Sequence, residues 1–363
     1  MNLQYKPDMQ RAVTYWDAFW NKEVIDRPLI CINSPKKGFE STRQWHGLTY
    51  QKVVEAKCEE DYHRLLTAYD TYAAATSFLG ESIPFVKFDY GPDMFASFFG
   101  AQLFCSSTET VDTTWVEPIV EDWTAFDGVM KTGEGTPYSQ YMKLMEYAAA
   151  YSEGKFLLSV PDIHSNMDAM SALRGPQNLC FDLMDYPDEV EEALLRIRKT
   201  YTPFYNEIFR VGKMEERGSI GWIPTYSRGR FATVQCDFDC LMSPAQGKKY
   251  VIPSIEEEAA ALDHVSYHYD GKEALVHLDN ILQIEGIDVI QWVPGDGNPR
   301  SIEWMDLLHK IQNAGKGLWI YDWTVEEIKT RFKELKPEGL VFSVDTATED
   351  EGYELIEYLT KHM

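Results

Sequence analysis

Apolar and polar positions alternate along this chain in two periods. Short apolar runs read as strands at Pro28 to Asn33, Pro84 to Asp89, Phe156 to Val160, Ser219 to Ile223, His264 to His268, Asp288 to Trp292, Gly317 to Tyr321 and Gly339 to Val344. Each is followed by a polar turn and, sooner or later, by a segment of helical period. The second half is the most regular: helical patterns at Pro244 to Leu262, Lys272 to Gln283, Ser301 to Ala314 and Val325 to Leu335 each precede a strand. Ser301 and Thr324 read as helix N-caps with Glu close behind, and Gly315 or Gly317 as the stop before the next strand. About eight strand-then-helix units are the number expected of a closed parallel (β/α)8 TIM barrel. Four regular units in succession favour it over a doubly wound sheet. A long insertion after the second strand, Gly91 to Gly154, would form a rim or lid over one mouth. No Pro/Ser/Gly-rich linker interrupts the pattern, so residues 1–363 read as a single domain.

Composition narrows the function classes. The 58 Asp and Glu against 34 Lys and Arg leave a net charge of −24, which would repel nucleic acid and anionic membrane surfaces. No run approaches the ~20 apolar residues of a membrane span, and the first residues lack the charged-then-apolar pattern of a secretory signal, so the expected compartment is the cytoplasm. The six cysteines are scattered with no CxxC, which suits reduced thiols; Cys240 in particular reads as core. No Gly-x-Gly-x-x-Gly or Walker-type loop supports nucleotide binding.

In a parallel barrel the working residues stand at the carboxyl ends of the strands. Those turns carry Asn33, Asp89 and Asp93, Asp162 and His164, Trp222 and Tyr226, His268 and Asp270, Gln291 and Trp292, Tyr321 and Asp322, and Asp345. Their convergence on one face would make a small-molecule pocket. The sharpest pattern is Val265 to Gly271. On a strand, Ser266, His268 and Asp270 share the face opposite Val265 and Tyr267, so a polar trio would point into the barrel. His268 and Asp270 could be two ligands of a metal, or an oriented base and its partner. The bland alternative is that Asp270 caps the next helix and His268 bonds to it.

A second cluster is Asp162 and His164 with Asp168 and Arg174 behind them; the first two could act as acid and base, the last two as a local ion pair. A third is Trp222 and Tyr226 leading to Gln235, Cys236 and Asp237, a ligand wall with an acid or metal position beside it.

At these residues a family resemblance emerges. The run from Asp162 through Arg174-Gly175-Pro176-Gln177-Asn178-Leu179 to Asp185-Tyr186-Pro187-Asp188 resembles the central segment of the uroporphyrinogen decarboxylase superfamily. His268-Tyr269-Asp270-Gly271, with Ile290-Gln291-Trp292-Val293-Pro294-Gly295, is similar to its branch known as trimethylamine corrinoid protein 2. The resemblance implies a (β/α)8 barrel. It also implies either tetrapyrrole decarboxylation or zinc-dependent methyl transfer between corrinoid proteins and thiols. The decarboxylase's Arg-rich segment is absent: the stretch after the first strand reads Ile32-Asn33-Ser34-Pro35-Lys36-Lys37-Gly38. A strongly acidic chain without that clamp does not suit a polycarboxylate. The methyltransferases hold zinc with His-x-Cys and a later Cys; His268 falls on the His, but Asp270 replaces the first Cys, and the last turn reads Ser343-Val344-Asp345-Thr346.

The expectation is therefore a methyltransferase of corrinoid-linked, methylamine-type metabolism with a small neutral or cationic substrate. Catalytic candidates are His268, Asp270, Asp162, His164 and Asp237; His268 and Asp270 would hold zinc if it binds. Substrate-binding candidates are Trp222, Tyr226, Gln235, Gln291, Trp292, Asn33 and Asp345. A corrinoid protein is the expected macromolecular partner. Two rivals stand beside this reading: a carbohydrate enzyme pairing Asp162 with Asp270 or Asp237, and a non-catalytic barrel that docks a corrinoid protein.

Overall fold

The computed structural model describes residues 2–39, 48–107 and 112–363. Its strands in chain order are β1 (Leu29–Pro35), β2 (Thr76–Gly80), β3 (Phe85–Val86), β4 (Leu103–Ser107), β5 (Asp112–Val116), β6 (Leu157–Leu158) and β7 (Ser219–Ile220). They continue with β8 (Tyr226–Ser227), β9 (Phe231–Val234), β10 (His264–Asp270), β11 (Val289–Val293), β12 (Gly317–Ile320) and β13 (Leu340–Asp345). Seven of these pair in the order β2-β1-β13-β12-β11-β10-β9, parallel throughout except for β2 against β1. A second strip joins β3 to β6, and β6 to β7 through the Ser159–Ile220 bridge. Ser219 Oγ donates to the Gly229 carbonyl and accepts from Phe231 N–H, stitching that strip to the start of β9.

The sheet's two faces differ as strand alternation requires. On β10, Val265, Tyr267 and Tyr269 enter the large apolar cluster shared with the helices, whereas Ser266, His268 and Asp270 take the other face. On β11, Ile290 and Trp292 join the helix side, and Val289 lies in a separate cluster with Leu29, Trp319 and Val341. Helix α1 (Met9–Trp20) covers that cluster. Its Met9, Ala12, Val13, Trp16 and Phe19 form one helical stripe that packs into this cluster, with Trp16 stacked on Trp319.

Beneath this cover lies a buried ion pair. Arg27 donates to Glu81 through two nitrogens at 2.7 and 2.8 Å, and Ile30 N–H donates to the same carboxylate at 3.0 Å. Both side chains are fully buried. The buried Lys6 ammonium donates to the carbonyls of Phe78 and Gly80 and pairs with Asp8. The pair closes the tight return after β2, where Gly80 has φ +58° and a Cβ would sit 2.1 Å from the Ile30 carbonyl oxygen.

Three features depart from the sequence pattern. Strands β2, β4, β5, β8 and β9 are additional to the eight expected, β2 being antiparallel to β1. The helices expected in the second half are broken: a π turn at Gly247–Val251 separates Pro244–Gln246 from Ile252–Ala259, and Lys272–His277 is 3-10 before Leu278–Leu282. Thr324 does cap its helix in a box with Glu327, but Ser301 is no cap of the helix Met305–Asn313; its hydroxyl donates to Asp322 and accepts from Trp323 Nε1.

Removing one partner of the ion pair strands the other charge in the core. Glu81→Gln should lower unfolding free energy by ~3 to 5 kcal/mol, read as a lower urea midpoint at unchanged slope. A midpoint within error of wild type would show that the pair carries no stability.

Candidate functional site

The loop after β6 carries Asp162 and His164, and the helix Asn166–Arg174 brings Asp168 in its first turn, one turn beyond His164. The end of β9 supplies Gln235 and Asp237. His164 Nε2 lies 3.0 Å from Asp162 Oδ2, and its Nδ1 lies 3.5 Å from Asp168 Oδ2. The Asp168 carboxylate accepts the backbone N–H groups of Asp237 at 3.1 Å and Phe238 at 2.8 Å, fixing the 3-10 turn that follows β9. The Gln235 amide lies between His164 Nε2, 2.9 Å away, and Asp237 Oδ2, 3.3 Å away.

A fully buried carboxyl supports this loop from behind. Glu258, on the helix Ile252–Ala259, accepts from Ser165 Oγ at 2.5 Å and from Asn166 Nδ2 at 3.0 Å. Asn166, left-handed at φ +52°, also donates to the Gln235 carbonyl, tying the two loops together.

A second group faces the first. Lys87 pairs with Asp89 at 3.1 Å, donates to Tyr50 and lies 5.9 Å from the Trp222 ring. Trp222 meets His268 edge to face at 5.0 Å, and His268 Nδ1 lies 2.6 Å from Gln291 Oε1. Buried atoms of these groups without a hydrogen-bond partner include Asp162 Oδ1, Trp222 Nε1 and Gln235 Oε1, which a ligand could engage.

The charges are strongly coupled. Burial alone would raise the Asp162 pKa, but His164, Lys87 and His268 hold it below the usual carboxylate range. Burial opposes a charged His164, yet Asp162 and Asp168 together raise its pKa well above that of a free imidazole. Lys87 is likewise kept charged against burial, mainly by Asp89. Asp237 is pushed up to about 6 by burial and by Asp168. Asp239 and Glu258 are pushed up to about 8, burial first in both.

A cleft of about 570 Å³ opens over the first group. Its floor includes His164, Asp168 and Asp237; its wall includes Asp93, Trp115 and Pro118 from the Gly91 to Gly154 insertion. Two residues of that wall belong to or adjoin the β4–β5 hairpin, so the insertion forms part of the rim.

Among the sequence candidates, Asp162, His164, Gln235 and Asp237 come together, as do Trp222, His268 and Gln291. Asp270 lies beside Gly295 and in the electrostatic neighbourhood of Tyr321. It caps nothing, and His268 bonds Gln291 instead of Asp270. Asn33 accepts from Ser82 Oγ and faces Asp345 in register; Asp345, exposed, lies near Tyr72.

Five readings need correction. Trp292 is no pocket wall: strand alternation turns it to the helix side, against Tyr269 and Trp304. Tyr226 lies with α1 at the opposite end, its carbonyl taking the Trp20 Nε1–H. Arg174 pairs with Asp182, not Asp168, and Cys240 is exposed. Among the described residues, the group of three or more potential metal ligands is His164, Asp168 and Asp237, and it excludes His268 and Asp270.

Lys87 and Glu258 were missed altogether. Lys87 and Asp89 alternate with buried Val86 and Phe88, a charged face in an apolar run that was legible. Glu258 sits in an ordinary amphipathic helix and carried no signal.

The thiolate zinc implied by the family resemblance does not fit. Its positions hold His268, Asp270 and a Cys-free turn at β13, while Cys236 is buried with its thiol pKa pushed well up.

No family model matches the chain, and no curated protein matches it. Among solved structures, a methyltransferase from Methanosarcina mazei superposes with a TM-score of 0.64 over 97% of this chain and 98% of that chain, at 12% identity. Likeness at that identity shows a shared fold, here a mixed α/β fold. Among the described residues no helix is long and apolar enough to cross a membrane.

Glu258 binds its proton more tightly folded than unfolded, so folding stability falls as pH rises from about 4.5 to about 8 and levels off above. Melting temperature should follow that decline, and Glu258→Gln, neutral throughout, should flatten it. An unchanged slope in the variant would remove Glu258 as a source.

Proposed function

We propose that this protein is a methyltransferase-type enzyme acting on a small neutral or cationic molecule at the carboxyl mouth of the sheet. On this reading the two strand strips are the wall of one (β/α)8 barrel. The observation that carries the proposal is the orientation of His268. Gln291 Oε1 accepts from Nδ1–H at 2.6 Å, leaving the Nε2 lone pair as the basic site beside Trp222. His268 Nε2 takes the proton of the acceptor's thiol, amine or hydroxyl as that heteroatom bonds to the methyl carbon. The donor–methyl bond breaks, and the donor leaves with its electron pair.

On this reading Trp222 forms one side of the substrate site, where its buried Nε1–H, without a partner in the protein, would donate to substrate. Asp162, held anionic, and the charged Lys87 set the local field. The excess of carboxylates over cations in this neighbourhood favours neutral or cationic ligands over anionic ones. A corrinoid protein as methyl carrier rests on the sequence resemblance, and the shared fold is compatible with it. No step here passes through zinc.

The test is methyl transfer from methylcobalamin or a tertiary methylamine to a thiol, followed by cobalamin absorbance and product mass. His268→Ala should lower kcat by ~10²- to 10⁴-fold with little change in KM, and Trp222→Ala should chiefly raise KM. Failure of wild type to turn over any methylated donor would sink the proposal, as would a His268→Ala variant of wild-type rate.

A further inference from the structure

We infer that His164, Asp168 and Asp237, assisted by Gln235, form a divalent-cation site at the floor of the cleft, separate from His268. One ligand atom from each of the three lies within 4.8 Å of the others, and the His164 Nδ1 to Asp168 Oδ2 separation is 3.5 Å. An ion with metal–ligand distances of roughly 2.0 to 2.2 Å places neighbouring donors about 3 Å apart, so side-chain shifts of about 2 Å at most would close the site.

The second observation is Gln235. Its side chain is 2% exposed, its amide lies against both His164 and Asp237, and its Oε1 has no partner. The amide nitrogen faces His164 Nε2, which also faces Asp162 Oδ2. The ring nitrogen cannot at once accept from the amide and donate to the carboxylate. Rotating the amide removes that conflict and presents Oε1 to the cluster as a further oxygen ligand.

Charge points the same way. Asp93, Asp162, Asp168 and Asp237 surround one imidazole, while the neighbouring Lys87 is already committed to Asp89. The supporting shell is built: Asp168 is fixed by the N–H groups of Asp237 and Phe238, and the chain after His164 by Glu258. One imidazole with carboxylate and amide oxygens, and no thiolate, is a donor set for Mn²⁺, Fe²⁺ or Zn²⁺. The cleft leaves the remaining coordination positions open to solvent or a small ligand.

The inference stands apart from the methyl-transfer reading, and the experiment separates them. Chelator-stripped full-length protein, purified without an affinity metal, is titrated with Mn²⁺, free ion being read by electron paramagnetic resonance, and with Zn²⁺ by calorimetry. Wild type should bind one equivalent and melt higher with it. Asp237→Asn and His164→Gln should each weaken binding by at least 10-fold. His268→Ala should bind as wild type does, even where methyl transfer is lost. Absence of both a bound equivalent and a melting shift in wild type overturns the site, whatever the variants do. Wild-type affinity in folded Asp237→Asn overturns it too. Should that variant not fold, undiminished affinity in His164→Gln decides the matter in the same way.

Discussion

The Arg27–Glu81 pair is the constraint on which the rest of the architecture depends. A guanidinium and a carboxylate with no access to water are tolerable only when paired and hydrogen-bonded, and here that pairing specifies the chain path. Glu81 takes two guanidinium nitrogens and the Ile30 N–H, so the start of β1 and the end of β2 must meet at that point. The Glu81 carbonyl takes the Trp16 Nε1–H, which seats α1 over the amino ends of the strands. With that end covered and dry, the polar residues of the inner face are directed to the opposite mouth.

The mouth is arranged on another principle. Carboxylates crowd around His164 at a density that would be unstable without compensation, and the structure answers with the imidazole, with backbone N–H donors to Asp168 and with Lys87 against Asp89 and Asp162. Several buried acceptors remain unanswered. Unpartnered buried atoms occur elsewhere too, Arg27 Nε and the Tyr62 and Tyr201 hydroxyls among them, but around His164 and Trp222 they stand beside a cluster of charged side chains that a ligand could engage. His268 with Gln291 and Trp222 stands beside this cluster as a second, less charged centre.

Alternation made the inner face of β10 legible, because Val265, Tyr267 and Tyr269 could belong only to the helix side once Ser266, His268 and Asp270 were set opposite. The same rule applied to β11 would have turned Trp292 away from the mouth: Gln291 and Trp292 are adjacent, so one faces in and the other out. Tyr226 was misplaced because the segment after β7 doubles back as β8 toward α1, a reversal that polar turn residues announce without specifying direction. Strand β9 follows that hairpin too closely to show a strand-then-helix unit of its own.

Local sequence determined what depends on neighbours a few residues away: the alternation of strand and helix, the Thr324 cap, the polar trio sharing one face of β10, and the residue types gathered at strand ends. These follow from periodicity and backbone chemistry, which act within one element. Tertiary structure alone decided which strand ends meet. Gln235 reaches His164 across 71 positions, Glu258 holds Ser165 across 93, and His268 is oriented by Gln291 from the adjacent strand. Those contacts depend on the register between elements, a property of the whole packed sheet that no local pattern carries.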